Sequence, residues 1–221
     1  MPRPLDGPRL KAKSGSPKQL VVFLHGYGAD GRDLIDLGKT WQNLLPDAAF
    51  ISPHAPEPCG MSPQGRQWWA LTMRDPSERW RGVNAVQGDV DAFLDAELAK
   101  LGLAPHQLAL VGFSQGAMTA LHVGLRRKVP PAAILAYSGT LVGAEHLKEQ
   151  ASGKPPILLV HGDQDNIIPV TALFEGMNGL AKAEIPCQWH LSMGIGHGID
   201  EGGLTHGGLF LAQNFKAARR G

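Results

Sequence analysis

The chain has 221 residues, of which 43% are hydrophobic, and its 21 lysines and arginines against 20 aspartates and glutamates leave a net charge of +1. This length and apolar content are enough for one buried core, so we expect a single domain over residues 1–221. The balanced charge gives no strong basic field, which argues against nucleic acid and acidic membranes as main partners.

Two cysteines, Cys59 and Cys187, occur without metal-type spacing. The N-terminus lacks the apolar core of a signal peptide, and no run of about 18 apolar residues is present, so we expect no membrane span. Together these features predict free thiols and a cytoplasmic location. The histidines show none of the paired spacings of metalloenzymes, so we expect neither a metal nor a cofactor.

The first quarter of the chain contains an arm, a strand and a glycine-rich turn. Residues 1–18 are rich in proline, glycine, lysine and serine and predict a loose arm, with one short edge strand around residues 9–13. Gln19–Leu24 is apolar on both faces, which is typical of a central parallel strand. In the loop that follows, His25–Gly31, glycines flank Tyr27. They allow either a simple tight turn or backbone N–H groups that face a common point.

A helix over residues 32–45 and a strand over 48–52 precede a segment with few regular signals. Residues 53–82 contain five prolines and three tryptophans. A loop this long is usually functional or disordered, and the tryptophans argue against disorder. We interpret it as a flap lining an apolar groove, with Trp68, Trp69 and Met73 as ligand-contacting residues. The alternative for each tryptophan is that it fills the core.

Helices and strands alternate over the rest of the chain. The apolar spacing predicts helices at 83–101, 117–127, 143–150, 170–183 and 203–218, and strands at 108–111, 132–137, 156–160 and 186–191. This alternation is typical of an α/β fold, in which helices cover both faces of a mostly parallel sheet.

The segment between the strand at 108–111 and the next helix has the pattern Gly-x-Ser-x-Gly, with Ser114 at its centre. In this strand–turn–helix context the pattern indicates a nucleophile elbow, a sharp turn that lifts the serine hydroxyl clear of the sheet. We predict that the N–H groups of Gln115 and Tyr27 form an oxyanion hole. The alternative is that Ser114 only caps the helix.

A serine nucleophile needs a base and a group that orients the base. Loops after later strands offer Asp163 and Asp165 as acids and His197 as base, in the chain order that such folds use. His206 is a rival base, since residues 203–208 could also form a loop. With His197 as the base, we expect the reaction rate to rise with pH as its imidazole loses a proton.

Four blocks of the chain resemble a known family. They are Leu24-His25-Gly26-Tyr27-Gly28, Gly112-Phe113-Ser114-Gln115-Gly116, His161-Gly162-x-x-Asp165-x-x-x-Pro169 and Gly194-x-Gly196-His197. They are similar, in the same order, to blocks of the phospholipase/carboxylesterase family of α/β-hydrolases, which includes the acyl-protein thioesterases. The resemblance implies an α/β-hydrolase fold without a large cap domain. It selects Asp165 over Asp163 as the acid and supports the N–H of Tyr27 as oxyanion donor.

The resemblance also implies an activity and partners. It favours a serine carboxylesterase that cleaves small to medium acyl esters through an acyl-enzyme and acts on a small-molecule or lipid-like ester. Similar bacterial esterases often pair as dimers, so the resemblance also allows a homodimer. A long-chain acyl thioesterase or lysophospholipase is the alternative, and the shape of the flap would separate the two. An inactive hydrolase-fold binding protein is a remote alternative, because such proteins usually lose part of the Ser114, Asp165 and His197 set.

Overall fold

The computed structural model describes residues 1–60, 62–72, 75 and 77–218. Its strands are β1 (Arg9–Leu10), β2 (Gln19–Leu24), β3 (Ala48–Ile51), β4 (Glu57–Pro58), β5 (Arg66–Gln67), β6 (Leu108–Phe113), β7 (Ala133–Tyr137), β8 (Ile157–Gly162) and β9 (Cys187–Ser192). Its helices are α1 (Gly31–Trp41), α2 (Glu78–Leu101), α3 (Gln115–Arg126), α4 (Leu147–Gln150), α5 (Thr171–Lys182) and α6 (Glu201–Ala218), with 3-10 turns at Pro105–Gln107 and Ala144–His146.

Seven strands form one sheet in the order β1-β3-β2-β6-β7-β8-β9. Strand β1 is antiparallel to β3, and the other pairs are parallel. The inner strands β2, β7 and β8 are buried along their whole length, as expected for strands covered on both faces. The predicted mostly parallel sheet is therefore confirmed.

The helices form a layer on each side of the sheet. Apolar residues of α2, α3 and α5 pack against one face, and those of α1 and α6 pack against the other. Because the central strands are parallel, the loops after β2, β6, β8 and β9 all leave from the same edge of the sheet. Tyr27, Ser114, Asp165 and His197 follow these four strands in that order.

Several predicted helix starts are wrong, namely those of α2, α3, α4 and α6. Helix α2 begins at Glu78 and not at residue 83, and Gly82 within it leaves room for the Trp69 ring, which a Cβ would meet at 2.2 Å. Helix α3 begins at Gln115, directly after the serine, and not at residue 117. The elbow therefore has no spacer between nucleophile and helix.

The arm predicted to be loose is docked on the fold. The N–H and the guanidinium of Arg3 both donate to the buried carboxylate of Asp89 in α2, each at 2.6 Å. Arg9 also reaches α2, through an ion pair of 3.1 Å with Glu97. These contacts join residues 86 to 88 positions apart in the chain, which local sequence patterns do not report.

The predicted flap, residues 53–82, contains more regular structure than its prolines indicate. Strands β4 and β5 form a small antiparallel hairpin, and the segment ends in the first turns of α2. The hairpin is fixed to the loop after β2 by two backbone hydrogen bonds, from the N–H of Gly28 to the carbonyl of Arg66 and from the N–H of Arg66 to the carbonyl of Ala29.

Within the described ranges, no helix has the length and hydropathy that a membrane crossing needs. The same part of the chain contains no cluster of three or more histidine, cysteine or acidic side chains arranged to hold a metal ion. Cys59 and Cys187 are both free thiols.

Candidate active site

Ser114 sits at the turn between β6 and α3 in a backbone conformation that residues with a side chain rarely adopt. Its φ is 55° and its ψ is −116°. Such strain persists only where the surroundings enforce it, and it is frequent at functional sites. Here the N–H of Ser114 donates to the carbonyl of Tyr137 at 2.9 Å, and its own carbonyl accepts from the N–H groups of Ala117 and Met118.

The two glycines of the pattern are required by close backbone contacts. A Cβ on Gly116 would lie 1.8 Å from the carbonyl oxygen of Leu24, and one on Gly112 would lie 2.3 Å from the carbonyl oxygen of Gly116. Strand β2, strand β6 and helix α3 thus meet at backbone distance. The positive end of the helix points at the serine, where it favours developing negative charge.

The structure brings Asp165 and His197 together although they lie 32 residues apart. Nδ1 of His197 donates to Oδ2 of Asp165 at 2.7 Å. The other oxygen of Asp165 accepts from the N–H groups of Ile167 and Ile168 at 2.9 and 2.8 Å. Since the carboxylate is bound on both oxygens, its orientation toward the imidazole is fixed.

The surroundings of Asp165 keep it ionised. Burial by itself would raise its pKa, but the hydrogen bond from His197 and those from the backbone of Ile168 and Ile167 outweigh burial, so that the pKa is lowered from the usual 3.8. A carboxylate that stays charged stabilises an imidazolium and holds the imidazole in the Nδ1–H tautomer.

The loops carrying the acid and the histidine are joined to each other. The N–H of Asp163 donates to the carbonyl of Ser192, and the N–H of Gln164 donates to the carbonyl of Ile195. A Cβ on Gly162 would lie 2.3 Å from that same Ile195 oxygen. This contact keeps the distance between Asp165 and His197 short.

The imidazole of His197 lies over the elbow. Its ring centroid is 4.9 Å from that of Phe113, the residue before the serine. Because Nδ1 is engaged by Asp165, Nε2 is the ring nitrogen that stays available to a second partner. Ser138 contacts the loop that carries His197. It is another buried residue with positive φ (46°), and its hydroxyl donates to the carbonyl of Gly198 at 3.4 Å.

One predicted oxyanion donor directly follows the serine, and the other lies on the loop after β2, which approaches the serine. The position of a Cβ on Gly26, next to Tyr27, is 3.4 Å from Cβ of Ser114, and Gln115 directly follows the serine. Neither the N–H of Tyr27 nor that of Gln115 donates to another atom of the described residues. For Gln115 this is expected, because the first N–H of a helix has no acceptor within the helix.

The direction of the Tyr27 N–H is set by the histidine before it. Nδ1–H of His25 donates to the carbonyl of Gly26 at 2.8 Å, and Nε2 accepts from the N–H of Ala55 at 3.0 Å. The Gly26 carbonyl and the Tyr27 N–H belong to one planar trans peptide and point in opposite directions. Burial lowers the pKa of His25 from 6.5 to about 4, so the neutral ring that these contacts need is present at neutral pH.

Two of the residues predicted to contact the substrate, Trp68 and Trp69, are buried and do not line a groove. Trp68 is 0% exposed and Trp69 is 5% exposed, and both belong to the core cluster on the α2–α3 side. The alternative of core packing is thus the one that the structure favours for these two tryptophans. Met73 lies outside the described residues.

The rival candidates lie away from this arrangement. His206 is on α6, where its ring contacts that of His190 at 5.3 Å. Asp163 accepts from the N–H of Gly194 at 2.6 Å and so links the loop after β8 to the loop after β9. Of the two aspartates, Asp165 is therefore the one paired with His197.

Two residues that the sequence patterns missed contribute to the site. Arg66 binds the carbonyls of Ala55 and Pro56 and, through its backbone, the loop that carries Tyr27. Ser138 supports the histidine loop as described. Their only local signal is position, since Ser138 follows a buried strand and Arg66 lies in the proline-rich segment.

Comparison with known proteins shows the family of the chain. The sequence model of the Phospholipase/Carboxylesterase family matches residues 5–214. Esterase YpfH of Escherichia coli is 27% identical over 183 residues, which cover 83% of this chain and 77% of that protein. Acyl-protein thioesterase 1 of Saccharomyces cerevisiae is 30% identical over 183 residues, covering 75% of this chain and 78% of its own length.

Solved structures show the same architecture. The crystal structure of esterase PE8 matches with a TM-score of 0.92 at 44% identity, covering 96% of this chain and 99% of PE8. SOBER1 of Arabidopsis thaliana matches with a TM-score of 0.76 at 22% identity, covering 89% of this chain and 99% of its own, and supports the fold alone.

Proposed function

Since the chain belongs to the phospholipase/carboxylesterase family of α/β-hydrolases, we propose that it hydrolyses small to medium acyl esters through Ser114, His197 and Asp165. The family and the fold class predicted from the sequence are thereby confirmed, and the chain is a carboxylesterase-type enzyme. The observation that carries the proposed mechanism is the 2.7 Å hydrogen bond between Asp165 and His197, beside a serine in a strained turn.

In the first half of the proposed reaction, Nε2 of His197 takes the proton of Ser114 as Oγ attacks the ester carbonyl carbon. The carbonyl oxygen becomes an oxyanion, which accepts from the N–H groups of Tyr27 and Gln115. When the tetrahedral intermediate collapses, the bond to the leaving oxygen breaks and His197 protonates the departing alcohol. Ser114 is then left as an ester of the acid.

In the second half, water replaces the alcohol. His197 takes a proton from water, the hydroxide attacks the acyl carbon, and the same two N–H groups bind the new oxyanion. Collapse releases the carboxylic acid and returns the proton to Ser114. Throughout, Asp165 holds the imidazole and stabilises its cation, for which its lowered pKa is suited.

Each backbone donor acts mainly in the transition state, where the carbonyl oxygen is negative. Removal of one donor of this kind costs about 3–4 kcal/mol of barrier. The proposed pair needs no reorganisation, because the carbonyl ends of both peptides are anchored, one by His25 and the other by the first turn of α3.

The size of the acyl group is a separate part of the proposal. The likeness to esterase PE8 and to the esterase of Escherichia coli supports ester hydrolysis, and the preference for small to medium acyl groups is our proposal. The 30% identity with a yeast protein named acyl-protein thioesterase supports thioester hydrolysis, which belongs to the second candidate, a long-chain thioesterase or lysophospholipase. A cytoplasmic location and a homodimer stay predictions.

The deciding experiment is hydrolysis of p-nitrophenyl esters from acetate to palmitate, with palmitoyl-coenzyme A and a lysophospholipid alongside. We expect turnover by the wild type with a short to medium optimum, and loss of turnover in Ser114→Ala. Ser152→Ala, at an exposed serine far from the site, is the matched control and keeps its activity. An optimum at long chains selects the second candidate, and an inert wild type or an active Ser114→Ala rejects the mechanism.

A further inference from the structure

We propose that the side chain of Gln115 is a positioning group that couples the two oxyanion donors, in addition to the role of its backbone N–H. This inference rests on the proposed function, since it concerns how the oxyanion hole keeps its shape. The carboxamide joins the elbow to the segment after β5, and that segment in turn holds the loop that carries Tyr27.

The first link is a pair of hydrogen bonds across 46 to 47 residues. The N–H of Trp68 donates to Oε1 of Gln115 at 2.9 Å, and Nε2 of Gln115 donates to the carbonyl of Trp69 at 2.8 Å. A backbone N–H needs an acceptor and a carbonyl needs a donor, so the amide has one possible orientation. Gln115 is 1% exposed.

The second link runs from Trp68 to the loop after β2. Its indole Nε1–H donates to the carbonyl of His25 at 2.9 Å, and the two rings lie 5.5 Å apart. The imidazole of His25 holds the Gly26 carbonyl, which shares a peptide with the N–H of Tyr27. A continuous path of hydrogen bonds thus leads from the Gln115 side chain to the Tyr27 donor.

All three side chains on this path are almost inaccessible, because Trp68 and His25 are each 0% exposed. Water therefore does not replace a broken link without a rearrangement of the core. The two donors come from different parts of the fold, the loop after β2 and the start of α3, and an oxyanion is bound well only when both N–H groups point at one oxygen. A carboxamide suits this position because it accepts and donates within one plane.

The test is Gln115→Met, which keeps the length of the side chain and removes both hydrogen bonds. We expect kcat/KM for a p-nitrophenyl ester to fall by about tenfold or more, a fraction of the effect of deleting one donor. The loss should lie in kcat, with KM changed by less than about twofold, because the hole acts in the transition state. A boronic acid that forms a tetrahedral anion on Ser114 should lose affinity by the same factor as kcat/KM.

The matched control is Gln107→Met, at the amino end of β6. The Gln107 carboxamide makes the same pair of bonds, from the N–H of Ala104 and to the carbonyl of Lys18, each at 2.8 Å. This variant should keep wild-type kcat and boronate affinity, since the two hydrogen bonds that it loses lie at the opposite end of β6 from Ser114.

The proposal is overturned if folded Gln115→Met keeps wild-type kcat and boronate affinity, or if Gln107→Met loses as much. If circular dichroism finds Gln115→Met unfolded, Trp68→Phe decides, because it removes the indole donor to His25 and keeps most of the ring. A folded Trp68→Phe with wild-type kcat likewise overturns the proposal. Failure of the proposed function has a different signature, an inert wild type or an active Ser114→Ala.

Discussion

At the scale of single residues, the site depends on side chains that are each bound through two different atoms. Asp165 binds His197 with one oxygen and two backbone N–H groups with the other. His25 binds Gly26 and Ala55 with its two nitrogens. A side chain held through two atoms keeps one orientation. Asp165 has such an orientation and binds His197, whereas the neighbouring Asp163 accepts from the N–H of Gly194.

The pairing of Asp165 with His197 predicts the outcome of removing its charge. In Asp165→Asn the amide still accepts from the backbone, but its NH₂ group faces Nδ1 and favours the wrong tautomer of His197. We expect kcat to fall by about 10³–10⁴-fold, measured by steady-state ester hydrolysis.

Asp163→Asn is the control, since its amide oxygen still accepts from the N–H of Gly194. It should keep kcat within a few-fold of the wild type. The reverse pattern, an inactive Asp163→Asn and an active Asp165→Asn, would show that the acid is Asp163 and not Asp165.

At the scale of elements, the site is built where strands and helices approach at backbone distance. Helix α3 begins directly at the carboxyl end of β6 and touches the end of β2, and only glycine at position 116 permits that contact. The hairpin β4–β5 pairs with the loop after β2 through Gly28 and Arg66. These contacts place the serine, its helix and the Tyr27 loop in one rigid unit.

This close packing predicts a large cost for a single methyl group. In Gly116→Ala the Cβ would lie 1.8 Å from the Leu24 oxygen, so β2 and α3 must separate. We expect the free energy of unfolding to fall by about 2 kcal/mol or more, measured by urea denaturation, with loss of ester hydrolysis.

Gly88→Ala in α2 is the matched substitution, because nothing lies within 4 Å of its Cβ position. There the same change should raise the free energy of unfolding by about 0.5–1 kcal/mol, since glycine is costly inside a helix. Equal effects at the two positions would contradict the close approach of β2 and α3.

At the scale of the whole molecule, the core buries histidines that stay neutral. Burial lowers the pKa of His25 to about 4, and burial together with Arg126 lowers that of His122 to about 3, from the ordinary 6.5. Because the unfolded chain binds these protons more readily, each histidine contributes stability above pH 6.5. That contribution is lost as the pH falls toward the lowered value.

We therefore expect the free energy of unfolding to fall by about 2 kcal/mol per histidine when the pH is lowered from 7 to 5. His122→Gln removes one of them outside the catalytic machinery. Urea denaturation followed by tryptophan fluorescence should show a smaller loss on acidification in this variant, by about 2 kcal/mol. Equal losses in variant and wild type would mean that His122 is protonated in the folded protein.

The sequence by itself determined the strands of the main sheet, the elbow, the alternation of elements and the family, but not the hairpin β4–β5. These follow from local spacing: apolar runs predict buried strands, and the glycines around Ser114 belong to one turn. The order of Ser114, Asp165 and His197 along the chain was also sufficient to select the candidates, with the choice of Asp165 over Asp163 depending on the family resemblance.

Only the tertiary structure decided which partners these residues have. The docking of Arg3 on Asp89 and the bridge from Gln115 to Trp68 join positions 86 and 47 residues apart, and Trp68 and Trp69 are buried among residues that their own segment does not supply. Periodicity reports which face of an element is buried, and it carries no information about what lies against that face. Such contacts are fixed by the packing of the whole chain.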